Sequence, residues 1–241
     1  MSRFIMKHSL CALVGASLCF ATTAQAVEVT GGSVQLKYSA FTEETDFDRV
    51  NIEGSLEIGF NRSFSTQIDL GHNSFGVTDA DGTNFGLHGI YHVNETTSLG
   101  AFYTREDIEN TDLDFFGVEA GFELGAFDFE GYVGSVDGEG DSETAFGLGG
   151  RYGFGSGFGV SLDYEDVGDS DVASLSTTTI TLDKDVGENL NLFVELGSAE
   201  VESAGFSESE AFVGIGGRYV FGADRGATFK QRGLLRIIPG L

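Results

Sequence analysis

The chain has 241 residues, a single proline and a formal net charge of −25 at pH 7. A negative charge of that size would repel nucleic acid and anionic membrane surfaces, so we expect neither as a partner. Strong acidity can also indicate disorder, but 41% hydrophobic residues and a regular alternation of apolar and polar residues indicate a folded chain.

The N-terminal segment has the three parts of a cleaved export signal. Arg3 and Lys7 form a basic start, and residues 9–21 form an apolar run that is too short to cross a bilayer as a helix. Residues 24–26, Ala-Gln-Ala, supply the small-x-small pattern of a signal-peptidase site. We therefore predict that residues 1–26 are a signal peptide and that the protein is exported.

Export leaves a mature chain without cysteine. Both cysteines, Cys11 and Cys19, lie in the predicted signal peptide, so the chain from Val27 onward cannot form a disulfide. Met1 and Met6 are alternative starts of the same peptide. Without disulfides, the exported chain must bury apolar surface or close a sheet on itself.

Apolar and polar residues then alternate with a period of two along the whole mature chain. In the first segment, for example, Val34, Leu36 and Tyr38 alternate with Gln35 and Lys37. We count about twelve such segments of about nine to eleven residues, the length at which a tilted strand crosses a membrane. In chain order they lie at residues 34–40, 50–60, 64–70, 85–91, 99–103, 116–122, 127–133, 146–152, 158–164, 178–182, 190–196 and 213–221.

The connections between these segments alternate between short turns and longer acidic loops. Short turns are predicted at residues 61–63, 94–96, 124–126, 153–157 and 187–189, and longer loops at 43–48, 73–82, 106–111, 137–142, 168–173 and 201–207. This asymmetry is typical of outer-membrane barrels, whose short turns are periplasmic. Aromatic residues such as Phe60 and Phe64 flank the turns, as in an interfacial girdle, whereas a soluble sandwich would place them in mid-strand. We predict an all-β, antiparallel, up-and-down transmembrane barrel of about twelve strands with periplasmic termini.

The last segment carries a family resemblance. Val213, Ile215, Gly217, Tyr219 and Phe221 resemble the terminal signature of Gram-negative outer-membrane β-barrels, which the barrel-assembly machinery recognises. The layout of the mature chain also resembles porin-like barrels. The resemblance implies a barrel over residues 27–221, residence in outer-membrane lipid, and a monomer or an oligomer that conducts solutes.

Alternation also predicts what faces the lumen. If the apolar residues face lipid, the intervening residues face inward, and a slip of one residue would move each charge into lipid at a cost of about 2 kcal/mol or more. Eleven inward acids against three bases favour cations. The predicted lumen residues are the acids Glu53, Glu57, Asp69, Glu119, Glu123, Asp128, Glu130, Asp163, Glu165, Asp183 and Glu195, and the bases Lys37, Arg151 and Arg218.

These features predict a cation-preferring channel for passive diffusion of small polar solutes. Passive flux needs no cofactor, and we predict no metal site. We expect no enzymatic activity, because no nucleophile motif accompanies the lumen residues His88 and His92. The alternative is a closed structural or adhesive barrel without conductance, since twelve strands lie between the packed eight-stranded barrels and the open sixteen-stranded porins.

The C-terminal tail, residues 222–241, has the opposite charge to the barrel. It carries a net charge of +3, from Arg225, Lys230, Arg232 and Arg236 against Asp224. We predict a basic periplasmic extension, and we hypothesise that it docks at or partly inside the acidic mouth through charge and apolar residues. A flexible or surface-packed extension is the alternative.

Overall fold

The computed structural model describes residues 27–76, 80–109, 111–138, 142–169, 173–203, 205–223 and 226–238. The predicted signal peptide and its cleavage site lie outside the described residues. None of the helices formed by the described residues is long and apolar enough to cross a membrane.

The predicted up-and-down barrel is confirmed. Twelve antiparallel strands follow one another around the barrel, and the first pairs with the last, which closes the sheet. The elements are β1 Glu28–Phe41, β2 Asp48–Asn61, β3 Phe64–Phe75, β4 Asp81–Asn94, β5 Thr97–Ile108, β6 Thr111–Leu124, β7 Phe127–Asp137, β8 Ser142–Phe154, β9 Phe158–Asp169, β10 Ala173–Val186, β11 Leu190–Ser203, β12 Phe206–Gly222 and the single-turn helix α1 Leu234–Ile237.

The outer face of the barrel is apolar. Leu36, Leu148 and Leu162 each remain more than half exposed, and they alternate with inward polar residues such as Lys37. An apolar surface around the whole barrel is unfavourable in water and favourable in a bilayer. Closure also removes the unpaired strand edges, so the described strands pair with a neighbour on both sides within the hydrocarbon.

The strands are longer, and the loops shorter, than predicted. Strands run from 11 to 17 residues, and the six connections predicted as long loops span only two to six residues. Beyond the apolar band, polar residues continue the strand pairing, as where Glu202 pairs with Ser207. Apolar alternation detects only the part of each strand that faces lipid, and this is why the predicted strands were too short.

The two ends of the barrel are distinguished by their connections. The end that holds the connections at residues 62–63, 95–96 and 125–126 is here named the short-turn end, and the opposite end is named the loop end. The first residue of β1 and the last residue of β12 both lie at the short-turn end. That this end faces the periplasm stays a prediction.

The packed core lies inside the barrel, in the half nearer the loop end. Phe102, Phe115 and Tyr132 meet edge to face there, with ring centroids 5.0 to 5.9 Å apart. All three side chains are buried. This half of the lumen is therefore filled by side chains.

Candidate functional site

The wall of the lumen carries the predicted ionisable residues. Inward and outward residues alternate along each strand as predicted, and the inward set lines the interior or contacts chain segments within it. The structure places all of the following inside the barrel: Lys37, Glu53, Glu57, Asp69, Glu119, Glu123, Asp128, Glu130, Arg151, Asp163, Glu165, Asp183, Glu195 and Arg218. Their contribution to selectivity stays a prediction.

Two of the three wall bases are paired with wall acids. Lys37 Nζ lies 3.2 Å from Glu195 Oε2. Arg151 donates to both carboxylate oxygens of Asp183, over 3.0 and 2.7 Å. These pairs leave most of the wall acids to other partners.

The C-terminal tail turns back into the lumen at the short-turn end. Gly222 and Gly226 have positive φ angles of 79° and 81°, which favour glycine. The Ala223 amide donates to the Thr30 carbonyl over 2.9 Å. A Cβ at Gly222 would lie 2.6 Å from the Cα of Gly31, so this turn cannot accept a side chain. The sequence thus directs the chain inward at the point where β12 ends.

Inside the lumen, wall side chains satisfy the backbone of the tail. The Thr228 amide donates to Glu57 Oε2 over 2.8 Å. The Phe229 amide and carbonyl bond to the two side-chain atoms of Gln67, over 3.1 and 2.9 Å. Gln231 in turn donates to a backbone carbonyl of β2 over 2.9 Å. Buried backbone groups need such partners, so the wall provides a specific seat for the tail.

Arg232 is the most deeply held charge of the tail. Its Nε donates to Glu119 Oε2 over 2.9 Å, and its Nη1 donates to Glu130 Oε1 over 3.1 Å. Its guanidinium carbon lies 4.6 Å from the centre of the Tyr132 ring. Burial alone would lower the pKa of Arg232, but the charges of Glu130 and Glu119 outweigh it and hold the pKa above its ordinary value. The guanidinium therefore stays charged inside the barrel.

His88 contacts both Glu119, which binds Arg232, and the tail itself. Its Nδ1 lies 2.5 Å from Glu119 Oε1, and its Nε2 lies 2.8 Å from Asp69 Oδ2. The His88 ring also stacks on Phe229 of the tail, at 17° and 6.4 Å. A histidine between two carboxylates fixes the orientation of Glu119 for its contact with Arg232.

His92, the second lumen histidine, contacts three wall side chains. Its Nε2 lies 3.0 Å from Ser65 Oγ and 3.4 Å from Glu57 Oε1. Its Nδ1 contacts the hydroxyl of Ser98 at 2.9 Å. Glu57 also accepts a hydrogen bond from the Thr228 amide, so this cluster borders the tail.

Two further tail cations face wall acids. Lys230 Nζ lies 2.5 Å from Asp163 Oδ1. Burial would lower the pKa of Arg236, but the charges of Glu165 and then Glu53 raise it above its ordinary value. Each described cation of the tail therefore has acidic neighbours on the wall.

The tail ends in α1, which polar wall groups hold at both of its ends. Glu106 accepts hydrogen bonds from the amides of Leu234 and Leu235, over 2.8 and 3.1 Å. Arg49 donates to the carbonyl of Leu235. A carboxylate at the amino end of a helical turn and a guanidinium at its carbonyls match the polarity of the peptide groups.

Apolar wall residues receive the apolar side chains of α1. Leu235 is buried against Phe75 and Ala80, near the loop end. The cluster around Ile237 consists of Phe102, Phe115, Tyr132, Val136, Ala145 and Val167. The tail therefore runs through the lumen from the short-turn end into the loop half.

A layer of buried inward residues crosses the lumen at this level. Successive members pair directly across strands or are offset by two residues, except that Gly82 and Thr104 are offset by four. Phe115, for example, pairs with both Thr104 and Val136. Each strand contributes one buried member: Ser39, Arg49, Asn73, Gly82, Thr104, Phe115, Val136, Ala145, Val167, Thr177, Ala199 and Phe212. The described residues leave no water-filled passage at this level.

A cavity of about 830 Å³, here named the vestibule, lies between this layer and the short-turn end. Its lining reaches the short-turn end at Glu123 and Asp128, where the Asp128 side chain is half exposed. It extends inward to Arg49, Glu106 and Leu235, which belong to the buried layer or to its contacts. Among the described residues, the acidic wall of the vestibule is therefore open to water at the short-turn end.

Sequence reasoning missed the residues that form the buried layer and the residues that contact it. Arg49 and Glu106 were assigned to loops or their borders, because the strands were predicted too short. Phe102, Phe115 and Val167 occupy inward positions that the alternation reserves for polar residues. An apolar residue out of phase with its strand was the available signal.

The predicted assembly signature lies on the outer face of β12. Val213, Ile215 and Tyr219 are about half exposed there. Phe221 packs over Gly32, where an added Cβ would lie 2.4 Å from the Phe221 ring. Recognition of this strand by an assembly machinery stays a prediction.

Solved structures with the same architecture are outer-membrane channels. The chain is similar to the KdgM porin, with a TM-score of 0.61 and 13% identity over 78% of this chain and 99% of that one. It is similar to an outer membrane channel from Pseudomonas putida F1, with a TM-score of 0.60 and 16% identity over 82% and 97%. The NanC porin gives a TM-score of 0.59 and 8% identity over 78% and 98%. At these identities the similarity shows the fold alone.

A comparison of sequences identifies the family. Among curated proteins, no sequence matches this chain. The family model for Gram-negative porins matches residues 21–204, which is most of the chain. The lipid-facing barrel, its polar wall and this match together show that the chain belongs to the Gram-negative porin family and is an outer-membrane channel for small solutes.

Proposed function

We propose that this channel passes small polar solutes by passive diffusion and prefers cations. The observation that supports the proposal is that the predicted wall residues comprise eleven acids and only three bases. Acidic rings in a narrow passage raise the local concentration of cations and exclude anions. The tail cations Lys230, Arg232 and Arg236 offset part of this charge and leave the acids in excess.

The vestibule is the part of the lumen in which this selectivity would act. Its lining includes the acids Glu53, Glu123 and Asp128, and about half of the Asp128 side chain is exposed. We propose that the short-turn end, and with it the vestibule and both termini, faces the periplasm, as is general for such barrels. Cations would then collect on the periplasmic side of the buried layer.

The solute class differs from that of one structural neighbour. The KdgM porin has been solved in complex with oligogalacturonate, a polyanion. The acidic wall of this protein would repel a polyanion, so we propose small cations and uncharged or cationic polar solutes instead. Flux would follow concentration gradients, with weak and distributed contacts and without a cofactor or an enzymatic step.

Neutralising vestibule acids tests the proposed preference. We expect the combined substitution Glu53→Gln, Glu123→Gln and Asp128→Asn to lower the cation-to-anion permeability ratio about tenfold, because each removed charge attracts the cation and repels the anion. A unit charge about 8 Å from a permeant ion contributes roughly 0.5 kcal/mol in water, and salt at 0.1 M screens about half of it. Reversal potentials in planar bilayers under a KCl gradient measure the ratio.

A matched control removes the same charge outside the lumen. Glu44, Asp107 and Glu202 are exposed, and Glu44→Gln, Asp107→Asn and Glu202→Gln together should change the ratio much less. Equal reversal potentials for the wild type and the vestibule variant would refute the cation preference.

The buried layer favours a second candidate function, a closed structural barrel without conductance. In that case the purified protein would insert into bilayers and pass no current, with or without changes to the tail.

We also propose that the barrel-assembly machinery recognises the signature on β12, and that the protein is a monomer or an oligomer in the membrane.

A further inference from the structure

We propose that residues 226–238, here named the plug, hold the channel closed, and that conduction requires the plug to withdraw toward the short-turn end. The inference rests on the proposed channel function and is independent of the cation preference. It follows from three features of the structure: what closes the buried layer, how the plug is held, and where it can move.

The wall cannot close the lumen alone. Several of its members at the buried layer are small, including Ser39, Gly82 and Ala145. Side chains of this size do not meet across a twelve-stranded barrel, which is wider than the packed eight-stranded ones. Leu235 and Ile237 of the plug occupy the space between them and are almost fully buried. The closed layer therefore exists because the plug is in place.

The plug is held by non-covalent contacts that exist only in the folded barrel. Arg232 is bound by two carboxylates, and the amino end of α1 is bound by Glu106. The apolar contacts of Leu235 and Ile237 form a second anchor. Such contacts are strong while each charge has its partner and are lost together when one partner leaves. The plug therefore has two states, seated and withdrawn.

The structure also provides a path for withdrawal. The plug follows β12 and is attached at the short-turn end, where Gly222 and Gly226 both have positive φ angles. The vestibule, of about 830 Å³, lies beside the plug on this same side and opens toward the short-turn end. The plug can therefore withdraw through the vestibule without passing the loop end. The two glycines at the attachment allow the required change in backbone direction.

Withdrawal would change the charge of the passage as well as its width. Glu119, Glu130 and Asp163 now neutralise Arg232 and Lys230. With the plug withdrawn, these acids would line the passage without the tail cations, and Glu119 would keep its contact with His88. We therefore expect the open channel to prefer cations more strongly than any leak past the seated plug.

The first test removes both anchors from the plug and leaves the wall intact. The full-length variant Arg232→Ala, Leu235→Asp, Ile237→Asp cannot seat, and we expect its open probability in planar bilayers to rise at least a hundredfold, with a larger cation-to-anion permeability ratio. The control variant Glu44→Gln, Asp107→Asn, Glu202→Gln changes exposed residues outside the plug and its seat, and it should behave like the wild type. A folded, inserted triple variant with the conductance of the wild type would overturn the proposal.

The second test locks the plug in its seat. The mature chain has no cysteine. A Cβ added at Gly82 would lie 2.9 Å from a methyl carbon of Leu235, so cysteines at both positions replace a direct contact. For Gly82→Cys with Leu235→Cys, we expect oxidation to lower the current at least tenfold and dithiothreitol to restore it, whereas Leu235→Cys alone should not respond. The same current before and after formation of the disulfide, verified by mass spectrometry, would contradict withdrawal.

The two proposals fail separately. A current that depends on the plug but does not distinguish potassium from chloride would refute the cation preference alone. A cation-selective current that ignores both plug variants and the disulfide would refute the plug alone.

Discussion

The two halves of the lumen use the same strands in different ways. In the loop half, Phe115 and Ile237 lie in a buried cluster with Val136 and Val167. In the short-turn half, Asp128 and Arg151 line the vestibule and remain partly exposed to water. Both halves have acidic walls, so the wall charge alone does not decide whether the lumen is open. The difference arises from the position of the tail.

The largest expected loss of stability comes from a substitution in the packed loop half. Phe115 and Phe116 are neighbours on opposite faces of β6, one buried in the lumen cluster and one half exposed on the lipid face. Replacing either with alanine loses the transfer free energy of the ring, about 2 kcal/mol. Phe115→Ala also leaves a cavity, so we expect a total loss of about 4 kcal/mol. Urea unfolding in lipid vesicles measures both.

Phe116→Ala is the internal control for this prediction, since its site is filled by lipid. If the two substitutions lower the free energy of unfolding equally, then the loop half is not packed as the structure has it. That result would contradict a packed loop half and a water-accessible short-turn half.

A smaller effect is expected from the ion pairs of the plug. In a double-mutant cycle of Arg232→Ala and Glu130→Gln, we expect a coupling free energy of about 2 kcal/mol, because Arg232 is buried and only 16% of the Glu130 side chain is exposed. The exposed pair of Arg105 and Asp112 on the outer surface should show no measurable coupling. Unfolding midpoints of the single and double variants provide the measurement. Similar coupling in the two cycles would mean that the Arg232 site is open to water.

The smallest expected loss of stability comes from the vestibule ion pair, and its dependence on salt distinguishes the two halves of the lumen. Arg151 bonds to Asp183 through two hydrogen bonds at the vestibule, where water reaches it. Arg151→Gln should lower the free energy of unfolding by about 1 kcal/mol at low salt, and by less than half of that in 1 M KCl. The effect of Arg232→Ala should be nearly the same at both salt concentrations. A loss at Arg151 that is equally insensitive to salt would place it in a dry environment.

Much of the barrel could be predicted from the sequence because one physical rule acts on every strand. Neighbours such as Leu36 and Lys37 must face opposite sides of a sheet, and only one of them is compatible with lipid. The same rule predicted that the wall charges face inward. The resemblance of the last strand to outer-membrane barrels agrees with the Gram-negative porin family found by sequence comparison. The strand ends could not be predicted in this way, because lipid does not constrain residues beyond the apolar band.

The interior of the loop half lay beyond such reasoning. Phe115 and Phe116 are identical in type, and the alternation assigned Phe116 to lipid without a role for its neighbour. The charge of the tail suggested an attraction to the barrel, but not that its backbone would bond to Glu57 and Gln67 or that Glu106 would hold α1.

The sequence by itself determined the two faces of this protein, since the alternation of side chains is a local property and lipid selects between its two registers. The tertiary structure alone decided that the lumen is closed in one half. Arg232 and Glu119 are 113 residues apart in the chain, and they meet only when twelve strands have closed around the tail. Contacts of that kind depend on the geometry of closure, which no periodicity in the sequence encodes.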